Sequence, residues 1–280
     1  MNPGTTGLTK LLAGPAMLVA PFVCDALQAK IAEAAGFRAV YMTGFGTAAV
    51  RGYPDLGLLT MSEMVDNVRA IATAVRIPVI CDADTGYGNP LNVMRTVREY
   101  EGAGAAALHI EDQAWPKRCG FLAGKQVIPV PEMVAKVRAA CDARRGTDLL
   151  IIARTDALQP CGWDDAEQRA RAYRAAGADL IFVDGIATVE DLDTYARRLG
   201  DLPRLYNGQL LAVPDVAKRG FRIMIHPATL IAAFTALRAA MAELQATGAV
   251  RAANDPTAFV DIVRLLGVPE ALAAAQKYDA

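Results

Sequence analysis

Short hydrophobic runs alternate with longer segments of helical periodicity along most of this chain. The runs lie at 17–23, 39–45, 78–84, 106–112, 149–156, 180–185, 204–208 and 222–227. Runs this short and this continuously apolar are typical of parallel strands that are buried on both faces. The segments between them carry hydrophobic residues at helical spacing, as at 26–35, 62–75, 91–101, 132–144 and 166–175. The pattern predicts eight consecutive strand–helix units.

Four of the predicted helices end in a glycine that leads directly into a strand, at Gly36, Gly104, Gly177 and Gly220. Glycine is preferred after the last helical residue, so these positions indicate the loops that join helix to strand. Eight such units in 280 residues match an α/β fold of the (β/α)8 TIM-type barrel class, which takes about 250 residues. An open doubly wound sheet is the alternative, but no G-x-G-x-x-G follows the first strand. We expect residues 1–280 to form one barrel domain.

The chain has more helical sequence after its eighth strand than a closed barrel needs. A long helix is predicted at 230–246, with shorter ones near 256–266 and 269–277. We therefore expect 247–280 to be a C-terminal helical extension. The surplus helices either pack on a neighbouring subunit or cap their own barrel.

Composition excludes several classes of protein. The formal net charge is −1, and the Lys and Arg residues are scattered, which argues against nucleic acid or an anionic membrane as partner. The five cysteines are widely spaced and lack a C-x-x-C pair, which is typical of thiols in a reducing compartment. No signal sequence opens the chain and no apolar run is long enough for a bilayer, so we expect a cytoplasmic protein.

Polar residues gather at the carboxyl ends of the predicted strands, where barrel enzymes place their active sites. Asp82 and Asp84 are two residues apart, so in a strand both side chains point to one face. Together with Glu111 at the end of the next strand they form a set of oxygen donors that suits Mg²⁺, or Mn²⁺, held partly through water. The alternative is that each acid caps a helix or pairs with a nearby arginine.

Other groups at these strand ends suggest how a substrate is bound. Arg154 is placed to clamp a carboxylate, or else to neutralise Asp82 or Glu111. The turn that begins at Thr43 and Gly44 offers a hydroxyl and backbone N–H groups for an anion. A Lys-Arg-Cys-Gly-Phe segment lies at 117–121. It is either a mobile loop that carries the cysteine as an acid over the site or an ordinary solvated turn.

The order and spacing of seven motifs resemble the isocitrate lyase/phosphoenolpyruvate mutase superfamily. The resemblance is strongest to the branch that contains methylisocitrate lyase, dimethylmalate lyase, oxaloacetate hydrolase and carboxyphosphonoenolpyruvate mutase. The motifs are Cys-Asp-Ala-Leu at 24–27, Met-Thr-Gly at 42–44, Pro-Asp-Leu-Gly at 54–57, Asp-Ala-Asp-Thr-Gly-Tyr-Gly at 82–88, Ile-Glu-Asp-Gln at 110–113, Pro-Lys-Arg-Cys-Gly at 116–120 and Ile-Ala-Arg-Thr-Asp at 152–156.

This resemblance implies a homo-oligomer, a dimer of helix-swapped dimers, and a small carboxylate substrate. It implies Mg²⁺ near Asp82, Asp84 and Glu111. It assigns catalytic roles to a second set of residues, Cys119, Arg154, Asp55 and Lys117, with Cys119 as the loop acid that protonates the leaving enolate. The substrate-binding residues that it implies are Tyr41, Thr43, Gly44, Phe45, Gly120, Phe121, Arg154, Asp184 and Asn207.

Three departures from the superfamily pattern bear on the substrate. Phe121 stands where the lyase loop usually has histidine, Asp184 where glutamate is usual, and the segment after strand seven is shortened to 207–210. Because phenylalanine donates no hydrogen bond and the segment after strand seven is shorter, we expect a less polar pocket that disfavours a tricarboxylate.

The first hypothesis is therefore a Mg²⁺-dependent carbon–carbon lyase. It would act on a 2-hydroxy (alkylmalate-like) or 2-oxo dicarboxylate through a metal-stabilised enolate. The alternatives are hydrolysis or decarboxylation of oxaloacetate, a mutase of the carboxyphosphonoenolpyruvate type, and a barrel that binds a keto acid without turning it over.

Overall fold

The computed structural model describes residues 3–120, 122–146 and 148–278. Within these ranges eight parallel strands close into one barrel in chain order, and β1 pairs with β8 from Leu18 opposite Ile223 to Pro21 opposite His226. The predicted TIM-type barrel is confirmed. The strands are β1 (Leu18–Val23), β2 (Val40–Met42), β3 (Val79–Asp82), β4 (Ala107–Glu111), β5 (Leu150–Thr155), β6 (Leu180–Val183), β7 (Arg204–Asn207) and β8 (Ile223–His226).

Helices surround this barrel and continue beyond its last strand. They are α1 (Pro3–Ala13), α2 (Ala26–Ala34), α3 (Gly44–Val50), α4 (Met61–Ala74), α5 (Pro90–Ala103), α6 (Val130–Ala143), α7 (Leu158–Ala175), α8 (Val189–Arg198), α9 (Val213–Ala217), α10 (Ala228–Thr247), α11 (Ala258–Leu265) and α12 (Val268–Ala275), with a 3₁₀ turn at Arg251–Asn254. In the described part of the chain, no helix is both long and apolar enough to cross a membrane.

Local sequence explains where these helices start and stop. The Asn89 side chain accepts hydrogen bonds from the first turn of α5, which begins at Pro90, a residue suited to the first helical position. The same helix ends at Gly104, whose φ of 103° is unfavourable for residues with a Cβ. Signals of this kind fix the short connections that return the chain to the sheet.

The hydrophobic core lies in two layers. Side chains that alternate along the strands, such as Tyr41, Ile80 and Phe182, fill the inside of the barrel. The opposite faces of the strands pack against the surrounding helices, with Met42 and Ile151 among the residues buried there. With both faces buried, the strands show little polar alternation, which is why they appear in the sequence as continuous apolar runs.

Two expectations about the carboxyl ends of the strands are wrong. Residues 44–50 form helix α3 where the sequence predicted a glycine turn. Strand β3 ends at Asp82, so Asp84 does not lie two positions further along the same strand. Asp84 has a φ of 48°, and its N–H donates to Asp82 Oδ1 at 3.0 Å, so a turn rather than a pleat orients its carboxylate.

Candidate active site

The carboxyl ends of the strands bring the predicted polar residues to one mouth of the barrel. Asp82 and Glu111 are the last residues of β3 and β4, Arg154 lies near the end of β5, and Asp184 follows β6. Asn207 ends β7, and its Nδ2 donates to Asp184 Oδ1 at 3.4 Å. Five neighbouring strands thus deliver these five side chains to one place.

Asp82 is held by donors from β2 and from the start of α3. The backbone N–H of Gly44 donates to Asp82 Oδ2 at 3.1 Å, and the Tyr41 hydroxyl donates to the same oxygen at 3.3 Å. The Tyr41 hydroxyl also lies 2.7 Å from Nε2 of His109. Burial lowers the pKa of His109 to about 4, so the buried ring is neutral near pH 7.

Lys117 reaches into the mouth from the loop after β4. Its ammonium lies 2.7 Å from Asp84 Oδ1 and also contacts the Asp55 carboxylate. All three side chains are largely buried. Lys117 therefore bridges two acids that come from different loops, and it ties its own loop to the rim.

Arg154 is surrounded by carboxylates. Its Nε and Nη2 donate to the two oxygens of Asp156 at 2.8 and 2.9 Å, and Nη2 also donates to Asp184 Oδ2 at 2.7 Å. Its Nη1 lies 3.2 Å from Glu111 Oε2. The guanidinium stacks over the Phe182 ring, 5.2 Å from the centroid. This buried arginine is therefore fixed in one orientation at the centre of the mouth.

Negative charge outweighs positive charge among these side chains. Burial raises the pKa of Glu111 well above its usual range, although Arg154 opposes the shift. Burial likewise raises the pKa of Asp84 to about 6, against the effect of Lys117. Burial disfavours the Lys117 ammonium, but the surrounding carboxylates, with Asp84 foremost, raise its pKa well above the usual range. A further cation is favourable in such surroundings.

The donor set at this mouth suits a hard cation. Among the described residues, no three His, Cys, Asp or Glu side chains are grouped so as to hold a metal ion unaided. Glu111 Oε1 is nevertheless buried, and no described group donates a hydrogen bond to it. Mg²⁺ usually keeps several waters and takes only one or two protein carboxylates. Asp82, Asp84 and Glu111 are the residues that would hold such an ion.

The described residues 117–120 and 122–125, which we call the loop, lie against the rim of the mouth. The Cys119 N–H donates to the Asp55 carbonyl at 3.1 Å, and Lys125 Nζ donates to the Gly120 carbonyl at 2.9 Å. Gly120 lies so close to Asp184 that a Cβ at this position would overlap the Asp184 carboxylate. The loop thus carries Cys119 to the rim beside the group centred on Arg154.

The other residues predicted to bind substrate differ in their surroundings. Thr43 caps α3, with its hydroxyl accepting from the Gly46 N–H at 3.2 Å, and Gly44 already donates to a carboxylate. Phe45 is partly exposed on α3. Phe121 lies outside the described residues.

Sequence reasoning missed the layer of charges that supports the mouth. Asp156 and Asp112 were noticed only as polar strand ends, and Lys125 gave no signal. Lys125 Nζ lies 2.8 Å from Asp156 Oδ1, while Asp112 accepts from Tyr173 at 2.7 Å and from Arg169 at 3.2 Å. Repeated acids after β4 and β5 are the one clue in the sequence that such a layer exists.

The barrel and this acid-rich mouth, with its arginine and its cysteine-bearing loop, define a (β/α)8-barrel enzyme. The model of the family described as phosphoenolpyruvate phosphomutase matches residues 8–245. The chain therefore belongs to this family, and the predicted isocitrate lyase/phosphoenolpyruvate mutase superfamily is confirmed. The prediction of a carbon–carbon lyase is confirmed by its relatives.

Three similar proteins illustrate the range of the superfamily. The 2,3-dimethylmalate lyase of Eubacterium barkeri is 45% identical over 236 residues, which is 80% of each chain. The structure of an oxaloacetate acetylhydrolase with 3,3-difluorooxalacetate matches at a TM-score of 0.91, with 36% identity over 98% of both chains. A phosphonopyruvate hydrolase in complex with oxalate and Mg²⁺ matches at 0.89, with 31% identity over 99% of both chains.

Proposed function

We propose that this enzyme cleaves the C2–C3 bond of a 2-hydroxy dicarboxylate of the alkylmalate type, with Mg²⁺, or Mn²⁺, as cofactor. The main support is the closed loop, which sets Gly120 against Asp184 and so brings the neighbouring Cys119 to the rim of a mouth centred on Arg154. Cleavage to a carbanion requires a proton donor and a nearby cation. The 45% identity to a dimethylmalate lyase supports the same substrate class.

The reaction divides between Arg154 and Cys119. A general base takes the proton of the 2-hydroxyl, whose oxygen electron pair forms the carbonyl of a 2-oxo acid as the C2–C3 bond breaks. The electron pair of that bond delocalises into the carboxylate on C3, and Arg154 stabilises the negative charge at the mouth. Cys119 then protonates C3, which releases the second product. Bound near Asp82, Asp84 and Glu111, Mg²⁺ would supply Lewis-acid polarisation of the substrate oxygens.

The contacts at Gly120 and Asp184 favour a small substrate. Arg154 already pairs with Asp184 at 2.7 Å, and Gly120 lies directly against that pair. Few donors remain there for a third carboxylate, whereas an alkyl group needs none. We therefore place a dicarboxylate with an apolar substituent ahead of a tricarboxylate.

A product assay tests this proposal. The purified protein is incubated with Mg²⁺ and a panel of malate, citramalate, 2,3-dimethylmalate, 2-methylisocitrate and oxaloacetate. We expect a 2-oxo acid and a monocarboxylate from an alkylmalate, and no turnover after EDTA. Oxalate and acetate from oxaloacetate alone would identify a hydrolase instead. A phosphonate product from a phosphoenolpyruvate-type substrate, detected by ³¹P NMR, would identify a mutase. Binding without turnover of any compound would contradict the proposal.

The last long helix supports a helix-swapped homo-oligomer. Helix α10 carries Ile231, Phe234, Leu237, Met241 and Leu244 along one side, and each of them is about half exposed or more. An apolar stripe of this length on an exposed helix is typical of a subunit interface. Pairs of subunits that exchange α10 would bury it, and two such pairs would form a tetramer.

The oligomer is expected to depend on this stripe. Leu237→Glu should shift the protein to a smaller species, because the change buries an unpaired charge in the interface. Ala239→Glu, on the opposite side of α10, should leave the native size unchanged. Size-exclusion chromatography with light scattering measures both. A monomeric native protein, or an unchanged Leu237→Glu variant, would contradict the proposed interface.

A further inference from the structure

Lys125 is a buried cation that the proposed reaction does not use. It lies at the end of the loop, its side chain is inaccessible to solvent, and its ammonium has two partners. Nζ donates to Asp156 Oδ1 at 2.8 Å and to the Gly120 carbonyl at 2.9 Å. One partner belongs to the barrel and the other to the loop, so the side chain joins the two.

The barrel partner is itself held rigidly. The Asp156 N–H donates to Asp112 Oδ1 at 2.9 Å, and the Thr155 hydroxyl donates to Asp112 Oδ2 at 2.8 Å. Burial disfavours ionisation of Asp156, but Arg154 and Lys125 outweigh it and lower its pKa to about 2. Asp156 is therefore an anion in a fixed position, and it binds both Arg154 and Lys125.

The loop partner fixes the neighbour of the proposed acid. Gly120 follows Cys119 directly, and its carbonyl is held by Lys125 while its Cα faces the Asp184 carboxylate. A second lysine, Lys117, precedes Cys119 in the chain and contacts Asp84 and Asp55. Cys119 thus lies between two lysines that contact barrel residues. Of the two, Lys125 is the one that pairs with Asp156, which also binds Arg154.

We propose that Lys125 is a positioning residue that latches the loop closed and couples its closure to the orientation of Arg154. When the loop opens, Lys125 loses its hydrogen bonds to the Gly120 carbonyl and to Asp156. Asp156 then keeps only its contacts with Arg154 among these two cations. Closure restores both contacts and sets Cys119 over the mouth. The latch is a property of the loop; only its effect on turnover rests on the proposed function.

Alkylation of Cys119 measures the latch directly. In Lys125→Met, the rate at which iodoacetamide modifies Cys119 should rise by about tenfold, since hydrogen bonds to a charged donor are lost from the closed state. Mass spectrometry of the two peptides reports this rate relative to that of Cys161, which is exposed on α7 and serves as internal reference. Under the proposed function, kcat should fall in the same variant.

Lys136→Met is the matched control. Lys136 is also buried, but its Nζ donates at 3.3 Å to the Thr85 carbonyl rather than to the loop. Both variants should lose stability, whereas only Lys125→Met should expose Cys119. Should Lys125→Met fail to fold, Lys125→Gln removes the charge while keeping a donor.

Equal Cys119 alkylation in the Lys125 variant and the control would overturn the latch. The readout needs no substrate, so an inactive native protein would count against the proposed function and leave the alkylation result interpretable. Raised alkylation in an enzyme with unchanged kcat would contradict the coupling to Arg154.

Discussion

Replacing Arg154 with methionine is expected to abolish detectable turnover and to lower the free energy of unfolding by about 3–5 kcal/mol. The guanidinium contacts Glu111, Asp156 and Asp184 within 3.2 Å, and all of these groups are buried. Methionine keeps much of the volume over Phe182 but leaves three carboxylates without their shared cation. Activity should fall because, under the proposed mechanism, the same charge stabilises the anion formed on cleavage.

The chain offers a close control for this experiment. Arg204, at the start of β7, is also buried and also stacks on a phenylalanine, with its guanidinium 4.9 Å from the Phe221 centroid. Its hydrogen bonds go to backbone carbonyls, such as that of Leu199 at 2.8 Å, and it lies at the opposite end of the barrel from the mouth.

Arg204→Met should therefore lose stability and keep the kcat of the folded fraction. Urea denaturation and steady-state kinetics on both variants separate the two effects. Retained activity in Arg154→Met would remove this arginine from the mechanism.

Replacing Cys119 with serine is expected to lower kcat by about 10²–10⁴, the usual contribution of a general acid. A serine hydroxyl is a much weaker proton donor than a thiol and occupies nearly the same volume. Lys117 should still contact Asp84, and Lys125 should still donate to the Gly120 carbonyl, so we expect closure and substrate affinity to be retained. The loss should appear in kcat with little change in KM.

Cys161→Ser serves as the control for this substitution, because Cys161 is exposed near the start of α7 and has no part in the proposed reaction. Its kinetics should match those of the native enzyme. A Cys119→Ser variant that turns over within about twofold of the native rate would show that another group donates the proton.

Much of the fold was predictable because each strand is buried on both faces. Its residues therefore form an uninterrupted apolar run, and glycines such as Gly104 mark where the helices end. The acids of the site were predictable because strand ends converge in a barrel. The position of Asp84 was not, since a left-handed backbone and a hydrogen bond to Asp82 replace the expected strand.

The sequence by itself determined the order of the strands, the barrel they form, the superfamily, and the acids, arginine and cysteine that gather at one mouth. Only the tertiary structure decided how the charges pair. Lys125 meets Asp156 from 31 positions away, and Lys117 meets Asp55 from 62 positions away. Spacing along the chain carries no signal for such pairs, because closure of the barrel and folding of the loop alone bring them together. The residue types at the mouth could therefore be predicted from the sequence, whereas the contacts of Lys125 with Asp156 and the Gly120 carbonyl required the three-dimensional structure.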